Sequence, residues 1–199
     1  LNVFFPELND TKKRKPFSIK EISLLHDKCR STDDDVRHLV ALISDTGVRL
    51  GEATGLKVAD IKIDCPTPHI HIRPNPIRRL KTKQSERQVP LIGASLWAAK
   101  RLITNSSGDY AFPRYVKNGT CLSNSASATL NKWIRSNICN DLVVHGLRHG
   151  FRDRLREVGC PPEIADSLGG WSRNSIGESY GDGYSLKAKH EWLSKIILE

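Results

Sequence analysis

The chain has 199 residues, 38% of them hydrophobic and 27% charged, enough for one ordinary core or two small ones without a disulfide or metal staple. Its longest apolar runs are only a few residues and its amino terminus is polar, so neither a membrane-spanning helix nor a signal peptide is expected. Thirty-one Lys and Arg against 22 Asp and Glu leave a net charge of +9, a balance that suits a polyanionic partner such as nucleic acid.

Residues 1–17 are polar, carry the run Lys12-Lys13-Arg14-Lys15 and end in Pro16-Phe17, the pattern of a linker leading into a fold. Ser18 to Glu21 form a capping box ahead of Ile22, Leu24 and Leu25, so a helix is expected from Ser18. A second follows from the acidic cap Asp33 to Asp35, with Val36, Leu39, Val40 and Ile43 at helical spacing until Gly47. From Ile61 the period changes to two: Ile61 and Ile63, then Ile70 and Ile72 alternating with His69, His71 and Arg73, then Val89 and Leu91. Between Ile77 and Pro90 lie Arg78, Arg79, Lys81, Lys83 and Arg87 with little apolar content, which reads as a basic hairpin arm. Helical patterns return at 94–104, 125–138 and 146–158, the last burying Leu147, Phe151, Leu155 and Val158. A short helix at 162–168 closes on Gly169-Gly170, and a glycine-rich loop runs through Tyr184. The final amphipathic helix, 186–198, carries Leu186, Trp192, Leu193, Ile196 and Ile197 and suits docking on a neighbouring subunit or packing in cis. The expected fold class is α+β, mainly helical, with a small antiparallel sheet and a basic arm.

Four segments carry chemistry: Thr46-Gly-Val-Arg-Leu-Gly-Glu52, the arm around Lys81, His145-Gly-Leu-Arg148-His149, and Leu168-Gly-Gly-Trp171-Ser172 followed by Tyr180. His145 and Arg148 lie three apart at a helix start, so both project from one face beside unpaired backbone N–H groups, a setting for an anion. Arg148 is able to make paired hydrogen bonds to phosphate oxygens, and an imidazole exchanges a proton near neutral pH. Arg152 follows one turn later. The purely structural reading pairs these arginines with Asp153 or Glu157. Arg49 has Glu52, three residues on, as its natural orienting partner.

In order and separation these segments resemble the catalytic domain of the tyrosine recombinases, the phage integrase family, over nearly the whole chain from Ser18. The resemblance implies an integrase-like catalytic domain at 18–199, with 1–17 as the linker from an amino-terminal core-binding domain. The lack of any Met leads us to expect a fragment of a longer protein. The "TGxRxxE" motif implies Arg49 as the first catalytic arginine, and "HxLRH" implies His145 and Arg148. Trp171 stands where many members have histidine; an indole donates one N–H but cannot shuttle a proton, so it should position rather than catalyse. The nucleophile, usually nine residues further, falls on Tyr180, with Tyr184 as rival. The arm pattern "TKT...VPL" favours Lys81 as the catalytic lysine and leaves Lys83 open. Arg78, Arg79, Lys83, Arg87 and Arg152 are expected to contact DNA.

The implied activity is site-specific DNA strand cleavage and rejoining through a 3′-phosphotyrosyl intermediate, on double-stranded DNA, by a protein that assembles as a tetramer on its substrate. The resemblance also implies a cytoplasmic, nucleoid-associated protein of bacterial or phage context, without a membrane partner. No cofactor or metal is expected. Asp33, Asp34 and Asp35 are adjacent and cannot share a helix face as nuclease ligands. His145 and His149, or His69 and His71, lack the Glu of a zinc hydrolase motif. The five cysteines, Cys29, Cys65, Cys121, Cys139 and Cys160, are scattered without a CxxC pair, which favours a reducing compartment over a disulfide or zinc scaffold. There is no GxxxxGK phosphate loop. The alternatives are a non-catalytic DNA-binding relative and a type IB topoisomerase-like enzyme.

Overall fold

The computed structural model describes residues 15–82, 85–171 and 183–198. Ser18 starts helix α1 (Ile19–Thr32) as expected: its hydroxyl accepts from the Glu21 amide at 3.3 Å, and the Glu21 carboxylate accepts from the Ser18 amide at 2.8 Å. Asp34 caps α2 (Asp35–Thr46) by accepting from the Arg37 amide at 3.0 Å, and Gly47, at φ 61°, ends it in the left-handed region. Every α2 residue from His38 to Thr46 is buried, because α1, α4 and α6 all pack on this helix. A helix that is covered all round becomes the axis of its domain.

Arg49 opens the short helix α3 (Leu50–Thr54). Three antiparallel strands follow, β1 (Ile61–Lys62), β2 (His69–Ile72) and β3 (Arg87–Pro90), in spatial order β1-β2-β3. Ile61 sits opposite Ile70 and Ile70 opposite Val89, so the apolar alternation turns to the core. The basic segment is the connection from β2 to β3. It begins with a tight turn in which Asn75 and Arg78 exchange backbone hydrogen bonds of 3.1 Å.

Helix α4 (Gly93–Thr104) leads to a second, two-stranded sheet, β4 (Val116–Lys117) and β5 (Thr120–Cys121). The sequence reading lacked this hairpin. Its turn is Asn118-Gly119, both at positive φ, the backbone that a two-residue hairpin demands. Helices α5 (Ser123–Asn137), α6 (Val144–Glu157) and α7 (Pro162–Gly169) then form the wall behind the candidate site. The last helix, α8 (Leu186–Ser194), is shorter than expected and packs on β3 of its own chain, burying Leu193 and the following Ile196. In the single chain this segment packs in cis. The architecture is α+β and mainly helical, and among the described residues no helix is long and apolar enough to cross a membrane.

Candidate active site

Three elements distant in sequence meet at the carboxyl end of α7. The last carbonyls of a helix lack intrahelical donors and carry the negative end of its dipole, so they attract cations. Here three consecutive ones are taken by three arginines. The Leu168 carbonyl accepts from Arg87 Nε at 2.8 Å, Gly169 from Arg148 Nη2 at 3.0 Å, and Gly170 from Arg49 Nη2 at 2.7 Å. Arg148 also donates to the Gly47 carbonyl, so the turn that ends α2 and the turn that ends α7 grip one guanidinium between them.

The two glycines are required by this crowding. A Cβ on Gly169 would lie 2.0 Å from the Trp171 ring, and one on Gly170, which has φ +62°, would lie 2.7 Å from Arg87 Nη1. Trp171 in turn stacks against two cations, with the guanidinium carbons of Arg148 and Arg152 each 4.8 Å from its ring centroid. Arg152 is anchored to Asp166 at 2.9 Å. Neither Asp153 nor Glu157 holds these arginines; Asp153 pairs with Arg156 instead.

Arg49 donates to Glu52 through Nη1 at 2.7 Å and through its backbone amide at 2.8 Å. Burial pushes the Glu52 carboxyl upward, but the charge of Arg87 and the hydrogen bonds from Arg87 and Arg49 outweigh it and hold the group at about 2. Arg148 moves the other way: burial, with the like charge of Arg49 next, brings it down to about 9. It remains a cation at neutral pH, and among the described residues its hydrogen-bond acceptors are two carbonyls and no carboxylate. An anion arriving there recovers part of the lost solvation.

His145 is exposed in the first turn of α6. It lines a cleft of about 250 Å³ with Arg148, over an apolar floor that includes Ile43, Val48 and Val144. Its ring meets that of His149 edge-on at 5.0 Å. Val143, the N-cap of α6, makes no side-chain cap, and Asn131 of α5 supplies the missing acceptor to the Val144 amide at 2.8 Å. No sequence signal linked Asn131 to this role.

Lys81 and Arg79 are exposed on the β2–β3 connection. That connection returns to the site at Ser85, whose hydroxyl lies 3.5 Å from Arg49 Nη1 and 3.0 Å from Thr82 Oγ1. Of the residues expected to contact DNA, Arg78 and Arg87 are buried in this structure, only 6% and 7% exposed. Arg87 shares the inward face of β3 with Val89 and pairs with Glu52 at 2.8 Å; the charge of the arm was legible, but the strand period decides which face it takes. Arg78 packs against Gly55 and donates to the Arg73 carbonyl at 2.8 Å. Tyr180 and Lys83 lie outside the described residues. The rival Tyr184 is 43% exposed just before α8. Among the described residues no three His, Cys, Asp or Glu side chains converge as a metal-binding group.

Comparison with known proteins agrees with this fold. The tyrosine recombinase XerD of Corynebacterium glutamicum is 28% identical over 177 residues, covering 82% of this chain and 55% of that protein. The crystal structure of XerA recombinase superposes with a TM-score of 0.62 at 18% identity, covering 92% of this chain and 60% of that one. The Tn1549 transposon integrase in complex with transposon right-end DNA gives 0.58 at 19% identity, over 92% and 66%. The XerH site-specific recombinase bound to its difH substrate gives 0.58 at 19% identity, over 92% and 52%. This chain therefore spans little more than half the length of its XerD relative. Residues 17–185 match the phage integrase family as a whole, from the residue before the α1 cap to the N-cap of α8. With all four motif-bearing segments inside that match, the chain belongs to the phage integrase family.

Proposed function

We propose that residues 18–199 are the catalytic domain of a site-specific DNA recombinase that cleaves and rejoins duplex DNA without metal or nucleotide cofactor. The observation that carries this reading is the convergence of Arg49 and Arg148 on adjacent carbonyls of one helix end, with Trp171 stacked beside them. Fixed cations, Arg148 held by two carbonyls and Arg49 by Glu52 and the Gly170 carbonyl, suit the charge that develops on the non-bridging oxygens of a phosphodiester. The relatives solved with transposon DNA and with a difH substrate support DNA as the polyanion.

In this reading the phenolic oxygen of Tyr180 attacks the phosphorus and loses its proton toward His145. The bond from phosphorus to the 5′-oxygen breaks, and Lys81 delivers a proton to that leaving oxygen. The product is a 3′-phosphotyrosyl link and a free 5′-hydroxyl; attack by a 5′-hydroxyl from another strand reverses the step. Exchange between two sites calls for a tetramer on DNA. Residues 1–17 then connect to a core-binding domain that completes the grip. The setting is the cytoplasm of a bacterium, at the nucleoid.

A suicide DNA substrate, nicked so that the 5′-hydroxyl is lost, tests the proposal. The expected result is a covalent adduct whose nucleotide maps to Tyr180, abolished in Tyr180→Phe with DNA binding retained. An adduct on Tyr184 moves the nucleophile. No adduct from a protein that still binds its site favours a non-catalytic DNA-binding relative.

A further inference from the structure

Arg87 is buried, so it has no surface to offer a substrate, yet its guanidinium is tied into the machinery on every side. Its Nη2 donates to Glu52 Oε2 at 2.8 Å and its Nη1 lies 3.3 Å from Oε1. Nη1 also donates to the Ser85 carbonyl at 2.7 Å, and Nε to the Leu168 carbonyl at 2.8 Å. One planar fork thereby joins β3, α3 and the carboxyl end of α7. A lysine ammonium, a point donor on a flexible stem, cannot reproduce that span.

We propose that Arg87 is a positioning residue for the phosphate-binding arginines, dividing the charge of Glu52 with Arg49 and fixing the α7 carbonyls that orient Arg49 and Arg148. The inference rests on the recombinase reading. Its electrostatic half follows from counting charge on Glu52. Both carboxylate oxygens are shared, Oε1 with Arg49 Nη1 and Oε2 with the Arg49 amide and Arg87. One negative charge divided between two guanidiniums leaves Arg49 with a surplus to offer an anion, whereas Glu52 alone with Arg49 makes a neutral pair. Its mechanical half follows from order along the chain. Arg87 holds Leu168, the next carbonyl holds Arg148, and the one after holds Arg49, so a shift of the first is transmitted to both.

Single-turnover cleavage of the suicide substrate by wild type, Arg87→Lys and Arg87→Gln tests this, with thermal unfolding run on each. Both variants are expected to cleave about 10²-fold more slowly, the loss that a misplacement near 1 Å brings. Their affinity for DNA, set by exposed phosphate contacts, is expected to stay within about threefold of wild type. A substrate with sulfur at the 5′-bridging position, whose thiolate leaves without a proton, is expected to restore Lys81→Ala but neither Arg87 variant.

The charged groups that face Glu52 among the described residues are Arg49, Arg78, Arg87 and Arg148, and Arg87 pulls hardest on its carboxyl. The acid limit of cleavage is therefore expected to move to higher pH in Arg87→Gln and not in Arg87→Lys. If Arg87→Gln fails to fold, the rate, affinity and sulfur readouts of Arg87→Lys decide. A folded variant that cleaves at the wild-type rate overturns the inference, as does affinity lost in proportion to rate, or rescue by sulfur. Wild-type protein that forms no adduct at all sinks the recombinase reading instead.

Discussion

Gly170 has a backbone that side chains resist and a neighbour that leaves no room for one, and the two constraints coincide where three arginines are held. Its φ of +62°, and the 2.7 Å that a Cβ there would leave to Arg87 Nη1, make Gly170→Ala strained and overpacked together. We expect this substitution to cost about 1–3 kcal/mol, measurable by denaturant unfolding, and to lower cleavage beyond what that loss of stability explains. At this scale much of the site was legible from sequence. Arg49, His145, Arg148 and Trp171 stand in short local motifs, and Glu52 stands three residues from Arg49, a spacing that lets the carboxylate at the third helical position reach back to the cap residue. The Arg87–Glu52 pair was not legible. Its partners lie 35 residues apart, and a basic segment announces charge without saying which side chains turn inward.

Among the elements, α2 and α6 are locked by a buried polar cluster that no motif announces. Arg154 donates to Asp45 at 3.0 Å and to the Ser44 carbonyl, Asp45 accepts from the Ala94 amide at 2.9 Å, and His26 lies 2.8 Å from the Ser44 hydroxyl. Burial pushes the His26 imidazole below its usual 6.5, more than the charge of Asp45 pulls it up, and the cation of Arg154 adds to the lowering. The folded chain thus takes up this proton less readily than the unfolded one. Stability is full above pH 6.5 and declines as pH falls through the window beneath it. Urea unfolding from about pH 7.5 to about pH 5 is expected to show that decline, and His26→Gln is expected to flatten it. The helices themselves were legible because their ends are written locally, in Ser18 with Glu21, in Asp34 and in Gly47. The β4–β5 hairpin had an equally local signal in Asn118-Gly119, but strands of two residues are too short to register as alternation. The α6 cap from Asn131 arises only when α5 folds alongside.

For the whole molecule, a net charge of +9 predicts how DNA is captured. Each phosphate neutralised releases counterions, so the logarithm of affinity is expected to fall linearly with the logarithm of salt, by about 0.9 per contact. Titrations between about 50 and 200 mM salt check this, a loss of about tenfold to a few thousandfold marking roughly two to six contacts; affinity that ignores salt sinks the proposed DNA grip. The overall architecture was legible as a class, mainly helical with a small sheet. The cis docking of α8 on β3 was not, since an amphipathic face shows that a helix is covered and not by whom.

In the proposed recombinase, Arg148 would meet a phosphate under unusual terms. A guanidinium stored on a carboxylate must break that pair before it grips a phosphate, and the carboxylate then competes for it throughout the reaction. Among the described residues the hydrogen bonds that store Arg148 run to the carbonyls of Gly47 and Gly169, which neither titrate nor neutralise it, so an arriving phosphate has no carboxylate among them to evict. If the proposed recombinase reading holds, capture and chemistry are decoupled: salt that weakens encounter at the exposed arm is expected to leave the buried grip, and the rate of cleavage once DNA is seated, unaltered.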